Sequence, residues 1–136
     1  MQVYLAGPIA GCTDEQAHGW RDEVKEKLDE LGIGYFDPMA RDFRNNGAKD
    51  HMAEIVEGDL EEIDKSNVLL ANVWQVSAGT SMEIFYSSHV RGIPVISVFP
   101  KEAMVPVWIR YHSTVVRNMD TAVQLIKDVR DLVCHI

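Results

Sequence analysis

Apolar residues along this chain fall into two patterns, short unbroken runs and stripes spaced by three and four. Val3-Tyr4-Leu5-Ala6 is a run ended by Gly7-Pro8, which predicts a buried strand leading into a turn. Thr13 and Gln16 have the spacing of a capping box, and Ala17, Trp20, Val24, Leu28 and Leu31 then form a stripe. A helix is expected from about Asp14 to Leu31, stopped by Gly32. Ile33 to Phe36 reads as a second strand, closed by Asp37-Pro38 because proline biases its predecessor towards extended backbone. The polar stretch Met39 to Lys49, with Asn45-Asn46-Gly47, predicts a mobile loop.

Met52, Ile55, Val56, Leu60 and Ile63 make the next helical stripe, ending near Lys65, and Val68 to Val73 is the clearest strand. Thr80 to Arg91 reads as a helix closed by Gly92, Pro94 to Phe99 as a strand, and Ala122, Ile126, Val129 and Val133 mark a C-terminal helix. Strands this uniformly apolar, alternating with helices, imply a parallel sheet covered on both faces, a doubly wound α/β single domain over residues 1–136. In such sheets ligands bind beyond the carboxyl ends of the strands. That rule draws suspicion to Gly7 to Thr13, Asp37, and Gln75 to Glu83.

Composition narrows the partners. The formal charge of −8 and pI near 5.0 argue against a nucleic-acid polymer or an anionic membrane, both of which favour a basic face. No basic leader followed by a long apolar run opens the sequence, so a soluble, cytoplasmic protein is expected. Cys12 and Cys134 have no pairing or zinc pattern and read as free thiols. His18, His51, His89, His112 and His135 lack ligand spacing and read as surface positions, so no metal is expected.

The candidate chemistry is carried by a few residues. The loop Gly7-Pro8-Ile9-Ala10-Gly11-Cys12-Thr13 lies between a strand and a helix N-terminus, where exposed N–H groups can hold an anion. Equally, any tight strand-to-helix turn favours glycine. Asp59 shares the apolar face of its helix with Ile55, Val56 and Ile63, so it is carried inward and must be paired, protonated or functional. A raised pKa would fit it to donate a proton, while a bond to a nearby backbone amide would make it structural. Glu83 lies one turn into its helix, and there the competing reading is a capping box with Thr80 as N-cap. Two carboxylates and an aromatic hydroxyl in one cleft suffice for glycosidic chemistry without a metal.

Taken in order, Tyr4-Leu5-Ala6-Gly7-Pro8-Ile9, Asp37-Pro38, Asp59-Leu60-x-x-Ile63, Val68 to Val73, Gly79-Thr80-Ser81-Met82-Glu83 and Gly92 to Ile96 resemble the nucleoside 2-deoxyribosyltransferase family. The resemblance runs from residue 2 to about residue 99. It implies a flavodoxin-like, Rossmann-like fold, no cofactor, and a small nucleoside or nucleotide as substrate. It further implies that Glu83 attacks C1′ to form a covalent deoxyribosyl intermediate, that Tyr4 orients and tunes Glu83, and that Asp59 protonates or holds the leaving base. Gly7, Pro8, Ile9, Gly11, Asp37, Ser77, Gly79 and Thr80 are the implied substrate-binding positions.

The family has two relevant branches, base-swapping transferases and hydrolases of nucleoside 5′-monophosphates. The transferase pattern has a second Asp six residues before the nucleophile, and Ser77 stands there in this chain. Ser77-x-Gly79 resembles the phosphate-holding arrangement of the hydrolases. By resemblance the protein is a homo-oligomer with shared sites, but Pro106 occupies the position from which a neighbouring subunit supplies a polar side chain, leaving Arg110, His112 or Ser113 as substitutes. Trp74, Trp108 and the segment Met39 to Phe43 are placed to stack on or cover a base, or simply to pack. A non-catalytic nucleotide-sensing module and a flavodoxin-like electron carrier or phosphoacceptor are the competing classes.

Overall fold

The central strands of the sheet are built mostly from Val, Leu, Ile and Ala with one Tyr and are almost wholly buried, so helices cover both sides of the sheet. The computed structural model describes residues 1–134, and His135 lies outside the described residues. The elements are β1 (Gln2–Ala6), a π-helical turn (Glu15–Gly19) running into α1 (Trp20–Glu30), β2 (Gly34–Phe36), and short 3-10 helices at Pro38–Ala40 and Ala48–His51. Then follow α2 (Met52–Asp64), β3 (Val68–Asn72), α3 (Ala78–Phe85) with a π-helical continuation (Tyr86–Val90), and β4 (Val95–Val98). The chain ends with α4 (Val107–His112), β5 (Thr114–Val116) and α5 (Met119–Cys134).

The sheet order is β2-β1-β3-β4-β5 and every pairing is parallel, with Leu5 opposite Leu70 and Ala71 opposite Ser97. Strand alternation sorts the core into two layers. Val3, Leu5, Val68, Leu70, Ile96 and Val98 pack against Val24 and Leu28 of α1 and Ala122 and Ile126 of α5. Tyr4, Ala6, Leu69, Ala71 and Val95 face the other way, towards Ile63 of α2, Ile84 of α3 and Ile109 of α4. This is the doubly wound, flavodoxin-like α/β architecture, and it hands Tyr4 to the same side as α2 and α3.

Helix ends follow their local chemistry. The Thr13–Gln16 capping box forms reciprocally, Thr13 N donating to Gln16 Oε1 at 2.9 Å and Gln16 N to Thr13 Oγ1 at 3.2 Å. Gly32, at φ +67°, ends α1 in the left-handed conformation expected of it.

Three expectations need correction. The C-terminal third contains α4 and β5, which have no periodic signal because each spans fewer than two turns or a few residues. The segment 39–49 is tied down rather than loose: Arg44 donates to Cys12 O at 2.9 Å and pairs with Asp14 at 2.6 Å, and Phe43 stacks on His51. Of the α2 stripe only Ile63 is fully buried, while Met52 and Val56 are more than half exposed.

Candidate active site

Because β1 points Tyr4 towards α2 and α3, its hydroxyl meets carboxylates from both. Tyr4 is completely buried, stacked on Phe36 at 5.7 Å between ring centroids, and donates a short hydrogen bond to Glu83 Oε2. This contact joins residues 79 apart in the chain. The Tyr4 hydroxyl is driven far above its ordinary pKa, first by burial and then by the negative charge of Glu83 and Asp59, so it remains a donor.

Glu83 is partly buried on α3, and its pKa is pushed up to about 7. Burial is the main cause; the Tyr4 hydrogen bond and the Arg21 charge pull it down, and Asp59 pushes it further up. The capping-box reading of Glu83 fails. The N-cap of α3 is Ser77, whose hydroxyl accepts from Thr80 N at 3.3 Å and donates to Thr80 Oγ1 at 2.8 Å. The helix therefore starts two residues earlier than Thr80, and Glu83 is left free for Tyr4.

Asp59 on α2 reaches the same cleft. Its side chain is 21% exposed and pairs with Arg41 Nη2 at 3.1 Å, not with a backbone amide. Burial raises its pKa, opposed by Arg41, Tyr4 and Arg21. A buried tyrosine hydroxyl, a carboxyl poised near neutrality and a second carboxyl held by an arginine form one connected polar cluster.

The loop after β1 departs from its anion-binding expectation in one respect. The capping box already occupies the Thr13 and Gln16 N–H groups, and Cys12 N donates to Ile9 O at 3.1 Å. Gly7 and Pro8 are buried, Ile9 is partly covered and Gly11 is exposed. A Cβ on Gly7 would lie 2.8 Å from Trp20 Cζ2 and 3.3 Å from Asn72 O, so glycine lets β1 and α1 approach. Asp37 is likewise committed to protein partners: it caps the 3-10 turn by accepting from Met39 N at 2.8 Å and pairs with Lys25 and Arg21. At the start of α3, by contrast, the N–H groups of Ala78 and Gly79 have no intrahelical acceptor, and a Cβ on Gly79 would meet nothing within 4 Å. Thr80 is buried and engaged with Ser77.

Three buried or ion-paired cations escaped the sequence reading. Arg21 sits on the α1 stripe between Ala17 and Val24, the same signal of a charge at an apolar position that exposed Asp59. Arg41 and Arg44 lie in an aperiodic stretch that gives no such signal. Of the Pro106 substitutes, His112 is buried, contrary to the surface position expected of it, with Nδ1 2.8 Å from Trp108 O, Ser113 donates to Ile109 O at 2.7 Å, and Arg110 is exposed. Trp74 has a buried Nε1–H without a partner, and Trp108 is 73% exposed beside an apolar cleft of about 300 Å³ lined by Met82, Phe85, Ile109 and His112. Among the described residues, no helix is long and apolar enough to cross a membrane.

Solved structures of known proteins share this fold. A 2-deoxyribosyltransferase from Bacillus psychrosaccharolyticus superposes with a TM-score of 0.74 at 20% identity, over 90% of each chain. A conserved protein from Enterococcus faecalis V583 gives 0.74 at 18% identity, over 93% of this chain and 97% of that one. The CMP N-glycosidase BcmB of Clostridium botulinum gives 0.56 at 17% identity, over 93% and 98%. No curated protein sequence matches. Residues 1–101 match the family described as nucleoside 2-deoxyribosyltransferase like, a span that takes in Tyr4, Asp59 and Glu83. The chain belongs to the nucleoside 2-deoxyribosyltransferase-like family.

Proposed function

We propose that this protein is a cytoplasmic enzyme of the N-glycosidic bond, transferring the deoxyribosyl group of a nucleoside or its 5′-monophosphate from one base to another through Glu83. The hydrogen bond from buried Tyr4 to Glu83, with Asp59 beside it, is the observation that carries the reading. The Glu83 carboxylate attacks C1′ as the C1′–N bond breaks, and Asp59 gives a proton to the departing base or holds it by accepting an N–H. An acceptor base then attacks C1′, the ester bond to Glu83 breaks, and the acceptor's proton returns to Asp59. Tyr4 aims one carboxylate oxygen and leaves the other for the sugar.

Ser77 favours a second reading, hydrolysis of 5′-monophosphates with water as acceptor. It caps α3 where the Ala78 and Gly79 N–H groups are available to phosphate, and it places no carboxylate there to repel one. Chromatography of the protein with deoxynucleosides and with their 5′-monophosphates, each with and without a second free base, separates the two. A new deoxynucleoside appearing only with acceptor supports transfer; free base from monophosphates alone supports hydrolysis. Binding without any product would leave a nucleotide-sensing module instead. Ser77→Asp is expected to weaken monophosphate binding by about tenfold or more through charge repulsion, measured by calorimetry against the free nucleoside. Equal affinity in both proteins would remove Ser77 from the phosphate.

A homo-oligomer is part of the proposal. Met82, Trp108 and Tyr111, exposed by 71%, 73% and 81%, present apolar surface on α4 and on α3, the helix that carries Glu83. Trp108→Ala with Tyr111→Ala is expected to lower the mass found by sedimentation. An unchanged mass would place any contact elsewhere.

A further inference from the structure

A fully buried arginine is rare because its charge loses water and must regain every bond from protein. Arg21 is such a residue, with 0% of its side chain exposed. Nη1 donates to Ala17 O at 2.6 Å, and Nη2 donates to Gly7 O at 3.1 Å and Leu5 O at 3.4 Å. Nε faces Asp37 Oδ1 at 3.5 Å, an ion pair too poorly aligned for a hydrogen bond. The guanidinium also lies over the Trp20 ring, 4.6 Å from its centroid.

Both Nη2 bonds converge on one short piece of chain, the carboxyl end of β1 and the glycine turn after it. Leu5 and Gly7 are the neighbours of Ala6, two residues beyond Tyr4. Their carbonyls are fixed from one side by Arg21, while Gly7 is closed in by Trp20 and by the carbonyl of Asn72 at the end of β3. A methionine of similar volume would fill the same space, so packing alone does not call for a cation here.

We infer that Arg21 is a positioning residue for the reaction, a buried cation that clamps the end of the strand carrying Tyr4 and so holds the hydroxyl that aims Glu83. The inference rests on the reading of Glu83 as nucleophile. Its geometry is independent of that reading. Glu83 accepts the Tyr4 hydrogen bond from β1, and its charge is opposed by Asp59 of α2 and favoured, more weakly than by Tyr4, by the Arg21 cation held at the end of β1. Arg41 acts on Asp59. Asp37 in turn neutralises part of the Arg21 charge and, with Glu83, keeps it protonated against burial.

The pair Arg21–Asp37 therefore makes a prediction of opposite signs. Arg21→Met removes the cation that favours ionised Glu83 and loosens the strand end behind Tyr4, so the midpoint for ionising Glu83 should move up. Asp37→Asn leaves the cation less balanced, so the same midpoint should move down. Carboxyl ¹³C NMR titration of Glu83 reads this without any turnover, and the acid limb of kcat/KM should follow it. Arg21→Lys, which restores the charge but not the planar fork, should keep the midpoint and still lose roughly tenfold in kcat.

A purely structural arginine would lower the melting temperature of Arg21→Met and leave the Glu83 midpoint where it was; that result overturns the inference. Should Arg21→Met fail to fold, Asp37→Asn decides: a midpoint moved down supports the role and an unmoved one overturns it. Glu83→Ala, assayed in parallel, keeps the two claims apart. Turnover surviving in that variant ends the nucleophile reading whatever the titration of Arg21 variants shows.

Discussion

Glu83→Ala is expected to lose turnover by roughly 10⁴-fold or more while remaining folded, because the change removes the attacking oxygen without opening a large core cavity. Glu83→Gln should be as inactive, and it should also be more stable than the parent at pH 8. The sign follows from the titration. The folded-state pKa of Glu83 is raised from 4.5 to about 7, so between these values the native protein binds more protons than the unfolded chain. Its stability then falls as pH rises through that window, and it stays lowered above pH 7. Glutamine is never ionised and avoids this loss, on the order of 1–3 kcal/mol for a partly buried group. Activity and thermal melts of the two variants at pH 5 and pH 8 check both halves. Full activity in either variant would remove Glu83 from the chemistry. A parent protein as stable at pH 8 as at pH 5 would remove the desolvated carboxylate.

Asp59→Asn carries the second large effect, a loss of about 10²–10⁴-fold on natural substrates. Its dependence on the leaving group distinguishes what Asp59 does. A proton donor matters most for bases that leave poorly as anions, so a substrate whose base departs without protonation should recover most of the lost rate. Arg41 at 3.1 Å favours the charged form of Asp59, so proton donation requires that pair to open when substrate enters. An equal loss for every leaving group would instead mean that Asp59 holds the base as a hydrogen-bond acceptor. Wild-type rates throughout would exclude both roles.

The sheet was legible in the sequence because three of its first four strands are runs too apolar to be anything but buried, and the partly exposed edge strand β2 was marked by the Asp37-Pro38 that closes it. Asp59 and Glu83 were found by position, one on a helical stripe and the other just beyond a strand end. Glu83 was ambiguous there, since Thr80-x-x-Glu83 has capping-box spacing; only the fold shows that Ser77 takes the cap. The glycine of the loop after β1 also has a packing reason hidden from the sequence: Trp20 and Arg21 crowd Gly7, contacts that come from the helix after the turn. Asp37 looked like a ligand contact because it follows a strand, and the structure spends it on Met39 N, Lys25 and Arg21. Arg41 and Arg44 could not be read at all. They act across distances of 18 and 30 residues from a segment without period, and ion pairing leaves no pattern in one sequence.

The order β2-β1-β3-β4-β5 places the first strand made near the middle of the finished sheet. During synthesis β1 must wait with one edge unpaired until residue 68 and its followers emerge to form β3. Tyr4 has no carboxylate to meet until α3 has followed. A ribosome-bound chain stopped before α3 should therefore expose a sticky strand edge, and the appearance of the Tyr4–Glu83 contact would time the moment at which the candidate site is complete.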